Sequence, residues 1–299
     1  MKKIQDNKNL QSAGLNGVLL MGGYCISGGI MAGDSASYII NWLEAVLVAA
    51  FIWTGAASVL PNEKQVWKPR IYTSCLLSLY FIIASGMYIR GLIALWRQWA
   101  LQQTPLPVLS LASAAVAVYG GSRGLKPVLR LGLPVLFVVA FFYITDTALL
   151  VPEMSRHRLC LMFGSFDAAF FLKLLGTMIL PLPAALLLQY GGSKRMRASF
   201  RVGAALGLAY LLLSAMRSVL LLGPLTVMEP YPLLPSLMLV YVGPALNRME
   251  CWGLMALSAA MLASSMAMVA GALSYFPIKG RRTAKATALT AAITAIAFF

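Results

Sequence analysis

The pentapeptide Gly120-Gly121-Ser122-Arg123-Gly124 fits G-x-S-x-G, and Asp146 and His157 follow it in the order serine, acid, histidine. Residues of these types can carry out acyl transfer, the serine as nucleophile and the histidine as its base. The surroundings argue against that chemistry. A nucleophile elbow needs a strand-to-helix turn, whereas Ser122 lies in a short basic loop between apolar runs. His157, the only histidine, falls at the far end of the next run, on the opposite side of a membrane. Neither H-E-x-x-H nor a Walker loop occurs. Cys25, Cys75, Cys160 and Cys251 are scattered without a C-x-x-C pair, which gives neither a metal site nor a disulfide framework. The expectation is a protein that is not an enzyme and that uses no cofactor.

A second set of residues is more informative. Glu44, Arg90, Asp146, Lys173 and Arg217 stand inside long apolar runs, where an ionised side chain is costly unless it is paired or near water. Glu44 and Lys173 come early in their runs, and Arg90, Asp146 and Arg217 come late. With runs that alternate in direction, all five fall in the outer third to half of the bilayer. That clustering suggests a polar vestibule open to the exterior, with Glu44, Arg90, Asp146 and Arg217 as candidates for ligand binding or ion coupling. Lys173 is long enough to snorkel to the headgroups, and either acid could equally be half of a structural ion pair.

The elements that carry these residues follow from composition. The chain is 60% apolar and 11% charged over 299 residues, with a mean hydropathy of +0.79. A soluble domain of this size has a far more charged surface. Nine runs have about the length that crosses a bilayer as a helix: Gly14–Ala32, Tyr38–Leu60, Ile71–Leu95, Pro105–Gly120, Leu131–Val151, Leu172–Tyr190, Val202–Leu222, Met249–Phe276 and Thr283–Phe299. The fold class is therefore an all-α polytopic membrane protein, with residues 1–13 as a tail and 14–299 as a single transmembrane domain. Lysine and arginine concentrate in the tail (Lys2, Lys3, Lys8) and in alternate loops, as at Lys64, Lys68 and Arg70 or Lys194, Arg195, Arg197 and Arg201. Basic residues stay on the cytoplasmic side of short loops, so the N-terminus is expected in the cytoplasm. The net charge of +15 is then a topology signal. Nucleic-acid binding would need a basic face on a soluble module, and the sequence supplies none.

Two spans are poor helices. The first carries Gly22, Gly23, Gly28 and Gly29, with Gly33 just past its end, and the sixth, FLKLLGTMILPLPAALLLQY, carries Gly176, Pro181 and Pro183. Proline removes a helix hydrogen bond and clashes with the preceding turn. In many transporters a pair of interrupted helices in corresponding positions of two inverted halves marks the solute site. The competing reading is that the glycines let helices pack closely.

The stretch QTPLPVLSLASAAVAVYGGSRGLKPVLRLGLPVLFVVAFF resembles part of the GerAB-type spore germination permeases, the integral B subunits of nutrient germinant receptors. In that family a Thr-Pro opens the fourth span, and a short Arg-Gly-Leu loop leads to an arginine before a proline-containing fifth span. The matching residues are Thr104, Pro105, Arg123, Gly124, Leu125, Arg130 and Pro134. A second block, LLGPLTVMEPYPLLPSLMLVYVGPALNRMECWGLMA, resembles the segment leading into the eighth span, with Tyr231 and Pro232, then Arg248 and Glu250, then Trp252.

The resemblance implies membership of the amino acid–polyamine–organocation transporter superfamily and a LeuT-like bundle of two inverted halves, about 14–151 and 160–299. The family's tenth span is apparently lacking, since nine are found. It further implies a receptor subunit in the spore inner membrane or plasma membrane. That subunit would bind a small-molecule germinant, typically an amino acid, and signal through an A-type subunit and a lipoprotein C-type subunit. The alternative is a secondary transporter of amino acids or similar solutes coupled to H⁺ or Na⁺. From the helix breaks, the ligand is expected at backbone groups around Gly22, Gly23, Ser27 and Gly28, with Gly176 and Thr177 facing them, because an open helix N-terminus can hold a carboxylate. The partners expected are thus these two subunits, the small-molecule germinant and membrane lipid, and not nucleic acid.

Overall fold

The computed structural model describes residues 11–22, 38–59, 71–160, 166–189, 194–227, 235, 249–275 and 282–298, and every regular element among them is helical. In chain order these are α1 (11–22), α2 (Tyr38–Val59), α3 (Ile71–Trp99), α4 (Leu106–Ser122), α5 (Leu125–Leu150), the short α6 (Arg156–Cys160), α7 (Ala168–Ile179), α8 (Leu182–Gln189), α9 (Lys194–Leu222), α10 (Met249–Tyr275) and α11 (Arg282–Phe298).

Six segments among the described residues are long and apolar enough to cross a bilayer: Ile39–Ser58, Ile71–Trp99, Leu125–Glu153, Ala168–Leu187, Arg197–Thr226 and Cys251–Tyr275. Leu106–Ser122 and Ala288–Ala297 are apolar but shorter. The first span expected from sequence extends beyond the described residues, of which only 11–22 belong to its helix.

One boundary differs from the sequence reading in an instructive way. The fifth helix starts at Leu125, not at Leu131, so the basic loop before it shrinks to Arg123 and Gly124. Lys126 and Arg130 sit exposed on its first turns. Helical geometry does not stop where the apolar run stops. Gly124 makes the abrupt turn possible, because its φ of 98° lies in a region that side chains disfavour. Ser122 ends α4 with its hydroxyl donating to the Tyr119 carbonyl at 2.8 Å, so the G-x-S-x-G match sits on a helix end and not on a strand-to-helix elbow.

Within a bilayer, apolar surface gives no net drive between helices, and small residues and internal hydrogen bonds take over. α10 is the pivot. It packs against α3, α4 and α5, while α11 packs on α3 and α4, and α2 packs on α7 and α9. Its alanines, serines and glycines allow this closeness: Ser265 and Ser85 of α3 share a hydrogen bond of 2.7 Å.

α1 is a central post, with residues 12–22 all buried. A Cβ on Gly14 would stand 2.7 Å from the Leu133 Cα of α5, and one on Gly132 would stand 2.7 Å from the Leu15 Cα. The two backbones therefore touch directly. On its other side, a Cβ at Gly207 of α9 would meet the Leu20 Cβ at 2.7 Å. Two hydroxyls also reach the α1 backbone, Tyr88 of α3 to the Leu19 carbonyl at 2.9 Å and Ser264 of α10 to the Val18 carbonyl at 3.1 Å.

The sixth span is broken as its prolines predict, into α7 and α8 on either side of Leu180 and Pro181. Two carbonyls beside the break are taken up by side chains of neighbouring helices. Trp53 Nε1 of α2 donates to the Met178 carbonyl at 3.1 Å, and the Tyr80 hydroxyl of α3 donates to the Leu180 carbonyl at 2.5 Å. The start of α7 is capped by Asp167, whose Oδ1 accepts from the Ala169 and Phe170 amides. Asn41 of α2 accepts from the Asp167 amide at 3.3 Å and ties this cap to the bundle.

Candidate functional site

Of the five intramembrane charges, the structure brings two together. Asp146 of α5 and Arg217 of α9 are each 2% exposed, and both line a single cavity. Glu44 on α2, Arg90 on α3 and Lys173 on α7 are exposed on the outer faces of their helices and do not join them.

Helical spacing sets the cavity wall. Residues three and four apart share a face, so Val139, Phe142, Tyr143 and Asp146 present one stripe of α5, and Tyr210, Ser214 and Arg217 one stripe of α9. α10 closes the space with Gly253, Ala256 and Leu257. The cavity measures about 10 Å³, room for about one water molecule.

The arginine is held from two directions. Its Nη1 donates to Thr147 Oγ1 at 3.1 Å, and its guanidinium carbon lies 4.8 Å from the centre of the Tyr143 ring, within cation–π range. Tyr143 meets Tyr210 edge to face at 5.1 Å. The polar groups are nevertheless incompletely paired: Asp146 Oδ1, Arg217 Nε and Arg217 Nη2 are buried without a hydrogen-bond partner. Buried polar atoms are rarely left so, and a water or a polar guest in the cavity would complete them. Chemically, the site offers two guanidinium donors and a carboxylate acceptor beside a small enclosed space. It contains no nucleophile paired with a base, and among the described residues no group of three or more His, Cys, Asp or Glu could hold a metal ion.

The cavity lies beyond the described end of α1. α1 reaches Leu136 of α5 from Gly17 and Gly207 of α9 from Leu20. Asp146 and Arg217 are about ten residues further along their helices, or roughly 15 Å at 1.5 Å per residue. The glycine-based site expected from sequence is elsewhere. Gly22 is packed tightly, since a Cβ there would meet Ser264 Oγ at 2.6 Å and Tyr88 Cε1 at 2.8 Å. Gly176 is exposed, with nothing within 4 Å of its missing Cβ. Thr177 is buried, its hydroxyl donating to the Leu174 carbonyl at 2.8 Å. Gly23, Ser27 and Gly28 lie outside the described residues.

Sequence reasoning missed Tyr143, Thr147, Tyr210 and Ser214. The available signal was a polar or aromatic residue one turn from each buried charge. Several residues of the two resemblance blocks have visible structural parts. Thr104 and Pro105 introduce α4, and Pro134 lies inside α5, where it leaves the Arg130 carbonyl without its usual helical donor. Trp252 stacks on Phe142 at 5.6 Å, against the cavity wall. Glu250 falls in the first turn of α10, while Tyr231, Pro232 and Arg248 lie outside the described residues.

A helical bundle with six segments long and apolar enough to cross a bilayer, among the described residues, is the build of a multi-pass membrane protein. Residues 71–299 match the family model of the spore germination proteins, also called spore permeases. The match covers more than half of the chain, so the chain belongs to that family. No curated protein matches it.

Proposed function

We propose that this protein is an integral-membrane germinant receptor subunit, which binds a small nutrient in its permease-like interior and passes the signal to A-type and lipoprotein C-type partner subunits in the spore inner membrane. The observation that carries the reading is the buried Asp146–Arg217 couple with its unpartnered atoms facing a cavity. A guanidinium and a carboxylate on opposite helices match the two poles of an amino acid, Arg217 for its carboxylate and Asp146 for its ammonium. The cavity is too small for such a solute as it stands, so binding requires Tyr143, Tyr210 and Arg217 to repack and α5, α9 and α10 to separate at that end. A ligand that binds only the separated form shifts the population toward it. That displacement is the signal.

The orientation with a cytoplasmic N-terminus and the LeuT-like arrangement of two inverted halves belong to this proposal. The transporter reading, with H⁺ or Na⁺ coupling, is favoured by the break between α7 and α8, a device of solute carriers. Against it, the Met178 and Leu180 carbonyls at that break are already occupied by Trp53 and Tyr80.

A thermal-shift screen of the detergent-purified protein against the twenty amino acids, nucleosides and sugars tests the proposal, because a ligand that binds the folded state raises its melting temperature. A specific amino acid should stabilise the wild type and lose its effect in an Asp146→Asn, Arg217→Gln double variant that still folds. Stabilisation unaltered by that double substitution would remove the couple from the site. Uptake of the same amino acid into proteoliposomes would favour the transporter.

A further inference from the structure

Past the Asp146–Arg217 cavity the chain folds back across the end of α9. Val151–Glu153 form a single 3₁₀ turn after α5, and Met154 is extended at φ −76° and ψ 127°. Only four residues therefore separate Leu150 from Ser155, and α6, which follows at once, packs on α9.

The last turn of α9 gives the reason for that docking. The final carbonyls of a helix have no donor within it, and their partial negative charge favours a cation. The Ser155 amide donates to the Leu220 carbonyl at 3.1 Å, and the Arg158 guanidinium donates to the Leu221 carbonyl. Gly223 seats the arginine. Its φ of 58° turns the chain away as α9 ends, and Cβ, Cγ and Cδ of Arg158 lie 3.5 to 3.6 Å from where a Cβ on Gly223 would stand. The Thr226 hydroxyl holds that turn by donating to the Gly223 carbonyl at 2.7 Å.

α6 has five residues, too few to be stable as a helix alone, so its place depends on what it docks on. Leu220 and Leu221 stand three and four residues beyond Arg217, which is about one helical turn. The contact thus ties the end of α5 to α9 one turn past the charge couple. Parting the two helices at this end must unwind the short link or break the two hydrogen bonds.

We infer that α6 is a latch, with Arg158 as its catch, which holds the cavity at Asp146 and Arg217 closed to water. That the latch guards a nutrient site rests on the function proposed above; that it keeps the cavity shut does not.

Thiol accessibility in the absence of any solute tests the latch. In a cysteine-free background, Ala256→Cys puts one thiol in the cavity wall, and Val128→Cys puts one at a position 2% exposed near the start of α5. A charged, water-soluble methanethiosulfonate reaches a buried thiol only through an opening, so its rate follows the open population. Ser155→Pro removes the amide donor, and Met154 already has the extended backbone that a following proline requires. Arg158→Met keeps the stem on Gly223 and removes the charged donor. Together they should raise the rate at position 256 by about 30-fold, taking both hydrogen bonds at their usual net worth, and leave the rate at position 128 unaltered. Should the double variant fail to fold, Arg158→Met alone, at an exposed position, should still raise the rate several-fold, and Arg158→Lys should keep part of the protection. An unchanged rate at position 256, or an equal rise at position 128, would overturn the latch. Because no solute is present, either result leaves the nutrient reading to its own thermal-shift test.

Discussion

The two ends of α5 and α9 are built on opposite principles. Near their starts α1 lies between them with backbone against backbone, Gly14 on Gly132 and Gly203 on the carbonyl of Ala13. Near their ends the same two helices are bridged by Tyr143, Tyr210 and Arg217, with a cavity and buried polar atoms that lack partners. Contacts at van der Waals distance are lost almost at once when surfaces part, so the glycine end is a fixed joint. At the other end an opening lets solvent or a solute satisfy groups that the closed form leaves wanting. In the proposed mechanism one pair of helices is thus held fixed at one end, as a hinge, and opens at the other, as a jaw.

The largest expected effect comes from breaking the jaw's charge couple. Arg217→Gln strands Asp146 as a buried charge, at about 3–5 kcal/mol, and thermal denaturation should show a large drop in melting temperature. Adding Asp146→Asn should recover part of it; no recovery would mean that the two groups do not interact. At the fixed joint, Gly132→Leu forces a side chain into the Leu15 backbone and should destabilise by about 1–3 kcal/mol, without changing the selectivity for any solute that binds the jaw. Trp53→Phe removes the donor to the Met178 carbonyl, which should cost about 1–3 kcal/mol and loosen the α7–α8 break, readable as faster amide exchange there. The smallest effect is Gly176→Ala. This exposed helical glycine has open space around it, so alanine should stabilise by up to about 1 kcal/mol and leave ligand binding unaltered.

Much of the framework was legible in the sequence. Apolar run length placed α2, α3, α10 and α11 within a few residues of their ends, and Pro181 and Pro183 announced the break between α7 and α8. The start of α5 was hidden because Lys126 and Arg130 belong to the helix although they are polar. The site was half legible. Depth along a span follows from residue count, and it put Asp146 and Arg217 among five charges inside apolar runs, of which the structure buries these two. Direction around the helix does not follow when a helix is apolar on all sides, since no polar stripe then tells inside from outside. That is why Glu44, Arg90 and Lys173 looked like neighbours of the couple and are not. The glycines of the first span admitted both a broken-helix and a close-packing reading. Gly14, Gly17 and Gly22 pack against neighbouring helices, and Gly23, Gly28, Gly29 and Gly33 are outside the described residues.

The hinge-and-jaw account is tested most directly by distance. In a cysteine-free background, spin labels at the exposed Phe141 and Leu213 report on the jaw, and labels at the exposed Leu131 and Val202 report on the joint. Double electron–electron resonance should show the first distance lengthen when the amino acid that stabilises the protein is added, with the second distance unmoved. A bound amino acid that leaves the jaw distance unchanged, or that moves the joint instead, would contradict the account.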